Sequence, residues 1–168
     1  PKDEVLRRVR IKQSLRRAGL SGIDLAGASM EAVDFSRAEL DGANLENAKL
    51  AGAVLKNASL RGAKLRGAVL RNANLEGADL EDADLTGAKL PGALLGRATL
   101  ERCVLAGADL AGADLRSADL HDANLDGANL AGMKVAGASY SGARLSNVGS
   151  LEIDVSMAGD GSERLAGA

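Results

Sequence analysis

Apolar residues recur along this chain with a period of five, which belongs to neither standard secondary structure. From Ala18 to Asn147 the sequence divides into 26 pentapeptides, and the third position is Leu in 22 of them. Met30, Phe35, Val135 and Tyr140 take that place in the others. The first position is Ala in 22 units, with Ile23, Val33, Cys103 and Met133 as exceptions. A helix places neighbouring residues about 100° apart, so every fifth residue would drift by about 140° and smear the leucines around all faces. A strand alternates with a period of two, which five does not match. The pattern closes if each pentapeptide is one side of a square coil. First and third positions then point the same way, as in a short strand, and put Ala and Leu inside.

The fifth position supplies the corners. It is Gly in 15 units and Asn in four (Asn47, Asn57, Asn72 and Asn147). These residues accept the positive φ of a type II turn. The other seven corners, among them Arg37, Asp82, Arg97 and Asp122, are expected to turn without positive φ. The second position is often Asp or Asn, as in Asp24, Asn44, Asp79, Asp114 and Asn129.

Units such as Ala43-Asn44-Leu45-Glu46-Asn47, Ala78-Asp79-Leu80-Glu81-Asp82 and Ala113-Asp114-Leu115-Arg116-Ser117 resemble the pentapeptide-repeat family, whose unit reads Ala-(Asp/Asn)-Leu-x-x. The resemblance covers about three quarters of the chain. It implies an all-β fold, a right-handed quadrilateral parallel β-helix with four units per coil. At about 4.8 Å per coil, 26 units make a rod roughly 31 Å long.

The ends depart from the repeat. Lys2 to Gln13 contains Val5, Leu6 and Val9 on one face, with Ile11 off it, and reads as a short helix capping the first coil. Gln13 to Arg17 reads as a degenerate first unit. Residues 1–17 form the expected N-terminal cap, 18–157 the solenoid and 158–168 a flexible tail. The cap carries a net charge of +5, from seven Lys and Arg against Asp3 and Glu4. That suits a solvated cap face or a docking or nucleic-acid patch. Near the other end Met133, Val135, Tyr140 and Val148 replace standard residues, while Ile153 and Val155 stay in register with the coil ending near Met157. The larger residues suit a plug for the last coil. They also suit a homodimer seam, which the resemblance allows through the C-terminal coil.

Composition removes several function classes. Hydrophobic residues make up 46% but aromatics only 1%, so the interior is a ladder of aliphatic side chains. Net charge is −2, which requires neither nucleic acid nor membrane. No apolar run is long enough for a transmembrane helix and there is no signal-peptide core, so a soluble, cytoplasmic, bacterial protein is expected. The chain starts at Pro1, as a processed product or an excised piece would. The single cysteine, Cys103, takes an inward position and is expected to be an inert core residue. The single histidine, His121, points outward with no evident nucleophile or metal partner. Asp109, Asp114 and Asp119 lie on three successive sides. A filled tube offers no ligand-sized concavity, so no catalytic residue, metal, cofactor or small-molecule substrate is expected.

Units 20 residues apart stack, so each side can be read separately. The side of Leu40, Leu60, Leu80, Leu100 and Leu120 carries Glu39, Asp41, Asp79, Glu81, Asp82, Glu101, Asp119 and Asp122 against Arg61 and Arg102, a net of −6. The other three sides sum to −1, +1 and +2. The reading that follows is a non-catalytic, rigid scaffold or spacer. It presents Glu39, Asp41, Asp79, Glu81, Asp82, Asp119 and Asp122 to a protein partner. The family resemblance implies an alternative, a DNA mimic that binds a type II topoisomerase (gyrase) and confers inhibitor resistance. Duplex DNA carries roughly 18 charges over that length, against six here. The opening Gln13-Ser14-Leu15 and Leu20-Ser21-Gly22-Ile23-Asp24-Leu25 is similar to pentapeptide regions of larger secretion-associated, type VI-like proteins, a third reading.

Overall fold

The structure, a computed structural model, describes residues 2–148. Between Gly19 and Arg144 the chain forms a continuous series of parallel bridges, each joining residues 20 apart, such as Ser59↔Asp79 and Asp79↔Thr99. Four pentapeptides therefore complete one coil. The bridging residue is always the second of its unit. The sides expected to be short strands are thus single-residue bridges, because a turn every five residues leaves no room for a longer ladder.

Each unit satisfies its backbone in the same way. The third-position N–H donates to the coil above, as Leu60 does to the Asp79 carbonyl at 2.7 Å. The fifth does likewise, Gly62 to Glu81 at 2.8 Å. The second-position N–H donates to the coil below, Asp79 to Ala58 at 2.9 Å. The first-position N–H closes the corner, Ala63 to Leu60 at 3.0 Å. Only the fourth-position N–H lacks a backbone acceptor in this scheme. Asp and Asn at the second position supply one. Asp79 Oδ1 accepts the Glu81 N–H at 3.1 Å and Asn74 Oδ1 accepts that of Glu76 at 3.0 Å. This local side-chain bond accounts for the Asp/Asn preference.

The corners correct one expectation. All seven that lack Gly or Asn have positive φ, from 54° at Arg102 to 59° at Arg37, Asp82 and Ser117. Ala32, Arg97 and Asp122 fall between them. Left-handed backbone costs a non-glycine residue about 1–2 kcal/mol. A different turn would misplace the fifth-position N–H and break its bond to the next coil. Hydrogen-bond closure therefore dictates the conformation and the residue adapts.

The interior is a stack of leucines over leucines, with alanine beside them. Leu60, Leu80 and Phe35 are 0% exposed and Leu100 is 1%. Burial of each Leu is worth roughly 1.5–3 kcal/mol in transfer free energy. Cys103 joins this core at 0% exposure, and burial pushes its thiol pKa far up, so it stays protonated and inert. Ala18, Ile23 and Ala28, with no coil beneath them, and Val33, above the first unit at Gln13, are only partly buried.

Helix α1 spans Lys2–Arg10 and sits against this open end. Val5 is buried and Leu6 and Val9 are partly so, while Ile11 is 58% exposed. Asp3 and Glu4 in the first turn and Arg7, Arg8 and Arg10 in the last suit the helix dipole. The helix is shorter than the Lys2–Gln13 segment because Lys12 turns left-handed, at φ 57°. The Lys12 N–H donates to the Val9 carbonyl at 2.9 Å and the Gln13 N–H to Arg8 at 2.8 Å. This is a Schellman cap. Arg8 then ties the helix to the coil through the Ser14 carbonyl at 2.5 Å, and Lys2 approaches Asp24 at 3.6 Å. Met133, Val135, Tyr140 and Val148 are buried at the far end. Ile153, Val155, Met157 and the tail from Ala158 lie outside the described residues. Among the described residues no helix is long and apolar enough to cross a membrane.

Candidate interaction surface

Bridges running Gly19, Glu39, Ser59, Asp79, Thr99, Asp119 and Ser139 define one side of the rod. Glu39, Asp41, Asp79, Glu81, Asp82, Asp119 and Asp122 all belong to it, at the second, fourth and fifth positions of stacked units. Two arginines knit the middle of this side. Arg61 reaches Asp79 at 3.2 Å and also pairs with Glu81. Arg102 reaches Asp82 at 2.8 Å and pairs with Glu81 and Glu101 as well. Asp41 accepts the Ser59 hydroxyl and, at 3.0 Å, the Arg61 N–H. Hydrogen bonding from Arg102 holds the Asp82 carboxyl below its usual range, and hydrogen bonding to Asp79 raises Arg61. The sequence showed the charge balance but not this cross-linking, which depends on coil-to-coil geometry. Glu39 and Asp122 have no ion pair among the described residues.

His121 has partners that its position in sequence concealed. Its Nδ1 lies 2.6 Å from Asp119 Oδ1, and its N–H donates to the same oxygen at 3.1 Å. The Ser139 hydroxyl, one coil up, lies 3.2 Å from Nδ1 and 3.3 Å from Nε2. An acid, a base and a hydroxyl therefore meet, and the 20-residue stacking of Asp119 with Ser139 was the available signal. The near-equal distances place Oγ beside the ring rather than in line with either nitrogen. No activated hydroxyl results. The hydrogen bond to Asp119 raises the His121 pKa, and the charges of Asp119, Asp122 and Glu101 add to it. Burial raises the Asp119 pKa, but hydrogen bonds from the His121 ring and amide outweigh it, leaving that carboxyl below its usual value. Among the described residues no group of His, Cys, Asp or Glu could hold a metal ion.

The outer wall is not smooth throughout, contrary to the expectation of no concavity. A cleft of about 530 Å³, open to solvent, lies on the adjacent side, between Glu76 and Arg116. It arises where Gly96 puts no side chain on the wall.

The sequence matches the family described as pentapeptide repeats, in eight copies, at residues 14–52, 53–92 and 93–132. The chain belongs to the pentapeptide-repeat family. Solved pentapeptide-repeat structures resemble it along most of its length. HetL from the cyanobacterium Nostoc sp. strain PCC 7120, involved in heterocyst differentiation regulation, is 27% identical with a TM-score of 0.63. That match covers 87% of this chain and 93% of HetL. A pentapeptide-repeat protein of the Arabidopsis thaliana thylakoid lumen is 34% identical over 66% of this chain and 70% of its own, with a TM-score of 0.48. QnrB1, a plasmid-mediated fluoroquinolone resistance protein, is 20% identical, covers 80% of this chain and 87% of its own, and has a TM-score of 0.38. Similarity that low carries no functional argument. No curated protein matches the sequence.

Proposed function

We propose that this pentapeptide-repeat protein is a non-catalytic scaffold or spacer. A right-handed, four-sided rod would present Glu39, Asp41, Asp79, Glu81, Asp82, Asp119 and Asp122 to a protein partner in the cytoplasm. The cap at 1–17, the rod at 18–157 and the tail at 158–168 complete this reading. The observation that carries it is a row of carboxylates held at coil spacing on one side, with a net charge of −6. Such a row attracts a basic surface and fixes its register. Similarity to HetL, a pentapeptide-repeat protein involved in heterocyst differentiation regulation, is consistent with a repeat scaffold. A homodimer through the coil of Met133, Val135 and Tyr140 is part of the same proposal.

The test is charge reversal at two carboxylates without ion pairs and at one clamped carboxylate: Glu39→Lys, Asp122→Lys and Asp82→Lys together. Immobilised wild-type protein should retain a basic partner from a bacterial lysate that the triple variant loses. Retention of the same proteins by both rejects this surface. The topoisomerase reading draws on the same acidic side, yet Arg61 and Arg102 occupy its centre. A gyrase supercoiling assay separates the two, since inhibition at micromolar protein would favour the DNA mimic.

A further inference from the structure

Unit 93–97 departs from the repeat at three outward positions at once. Among the described residues Leu94 is the one leucine at a second position and Gly96 the one glycine at a fourth. Arg97 occupies a left-handed corner, at φ 58°, where glycine would be relaxed. None of these choices serves the coil. Gly96 lacks the positive φ that would require glycine, and a Cβ there would meet only the Arg116 carbonyl at an ordinary 3.6 Å. Leu94 is 45% exposed, and among the described residues no other large hydrophobic side chain of the coils is exposed.

The consequences converge on the cleft. It is lined by Leu94, Gly96 and Ala136 together with the charged Glu76, Arg97, Asp114 and Arg116. Leu94 has no oxygen for the Gly96 N–H, and no carboxylate of the coil below takes its place as Asp41 does for Arg61. In the units directly below and above, Asn74 and Asp114 accept the matching N–H groups at 3.0 Å and 3.1 Å. The carboxylates on the walls are engaged. Glu76 holds Lys56 at 2.8 Å and Asp114 holds the Arg116 guanidinium at 2.9 Å. Arg97 has no ion pair among the described residues. Within residues 18–147 this side carries Arg37, Lys56, Arg97, Arg116 and Lys134 against Asp34, Glu76 and Asp114, a net of +2.

We infer that the Leu94–Gly96–Arg97 cleft is a docking site for an extended acidic–apolar peptide segment of a protein partner. An apolar side chain would rest on Leu94 in the space left by Gly96. An adjacent carboxylate would take the Arg97 guanidinium and the Gly96 N–H. The open mouth leaves a small molecule largely in water, which disfavours a metabolite. Coil-to-coil bonds occupy the second-, third- and fifth-position N–H groups of this side and leave only isolated fourth-position ones such as that of Gly96, so the peptide cannot add as a strand and must be read mainly by side chains. This site is separate from the acidic side proposed above.

Three substitutions test it, and each returns the unit to residues used elsewhere in the rod: Leu94→Asn, Gly96→Glu and Arg97→Gly. The combined variant should melt at or above the wild-type temperature, so a binding loss is not unfolding. The probe is a short fluorescent peptide alternating leucine with glutamate and aspartate, read by anisotropy at low salt. Wild type should bind it, and the combined variant should bind at least about tenfold more weakly. Replacing the peptide's acids with lysine, or its leucines with serine, should abolish binding. The Glu39→Lys, Asp82→Lys, Asp122→Lys variant should bind it as wild type does, which separates this site from the acidic side. The inference is overturned by no binding to wild type, by equal affinity of the combined variant, or by tighter binding of single-stranded DNA. It is also overturned if sedimentation shows wild type self-associating and the combined variant not, because the occupant is then a second copy.

Discussion

Two neighbouring sides of this rod share one interior and differ outside. On the acidic side Arg61 and Arg102 knit the middle of the wall, pairing with carboxylates of stacked units. On the adjacent side the decoration is interrupted at Leu94 and Gly96, leaving a cleft and an arginine without a carboxylate. Behind both walls lie the same buried leucines, Leu80 and Leu95, at 0% and 1% exposure. The coil therefore sets few conditions on the wall beyond the corner geometry and an acceptor for the fourth-position N–H. Outward residues that break the pattern without helping the fold are the ones to question.

The largest effect should show that the two sides are equal inside. Leu80→Ala and Leu95→Ala should each destabilise the rod by about 2–5 kcal/mol, measured by urea denaturation. Unequal losses beyond about 1 kcal/mol would break the claim of a shared interior. Corners should come next and should differ. Gly62 on the acidic side and Gly77 on the cleft side both have positive φ, 60° and 66°. A Cβ at Gly62 meets nothing within 4 Å, while one at Gly77 runs into Asn57 Oδ1. Gly62→Ala should lose about 1 kcal/mol from backbone strain alone, and Gly77→Ala measurably more. Equal losses would mean that Asn57 moves aside freely.

Removing a clamp should affect charge more than stability. Arg102→Gln should leave the melting temperature almost unchanged, because the pairs are solvent-exposed. It should strengthen retention on an anion exchanger, whereas Arg97→Gln, which frees no carboxylate, should shift retention less. The smallest effect is the pH response of the acidic side. His121 has a raised pKa in the folded state, so its pairing with Asp119 stabilises fully below about pH 6.5. That contribution fades as pH rises through the raised value. His121→Gln should remove this slope between neutral and mildly acidic pH in a denaturation series, and an unchanged slope would assign it to another group. Asp119 acts in the opposite sense, its contribution present above about pH 3.8 and lost as pH falls through its lowered value.

The interior was legible because its signal is additive: every fifth residue repeats one instruction, and Leu60, Leu80 and Leu100 all obey it. The corners were half legible. Glycine and asparagine announced left-handed turns, but Arg37 and Asp82 take the same turn for a reason written in the neighbouring coil, not in the unit. The candidate surfaces were legible as charge and illegible as contact. His121 and Ser139 are 18 residues apart, and Arg102 reaches Glu81 across 21. The cleft was hidden because it comes from a missing side chain, and Gly96 looked like one glycine among 21.

The 20-residue offset between bridged residues also makes changes of rod length stepwise. An insertion of one to four residues would dislocate the leucines downstream of it. An insertion of five would keep the inside continuous but turn everything beyond it by a quarter revolution, swinging later carboxylates onto the neighbouring wall. Only whole multiples of 20 lengthen the rod and leave its outer markings aligned. Tandem duplication in this gene would therefore change which way a surface looks before it changes whether the protein folds.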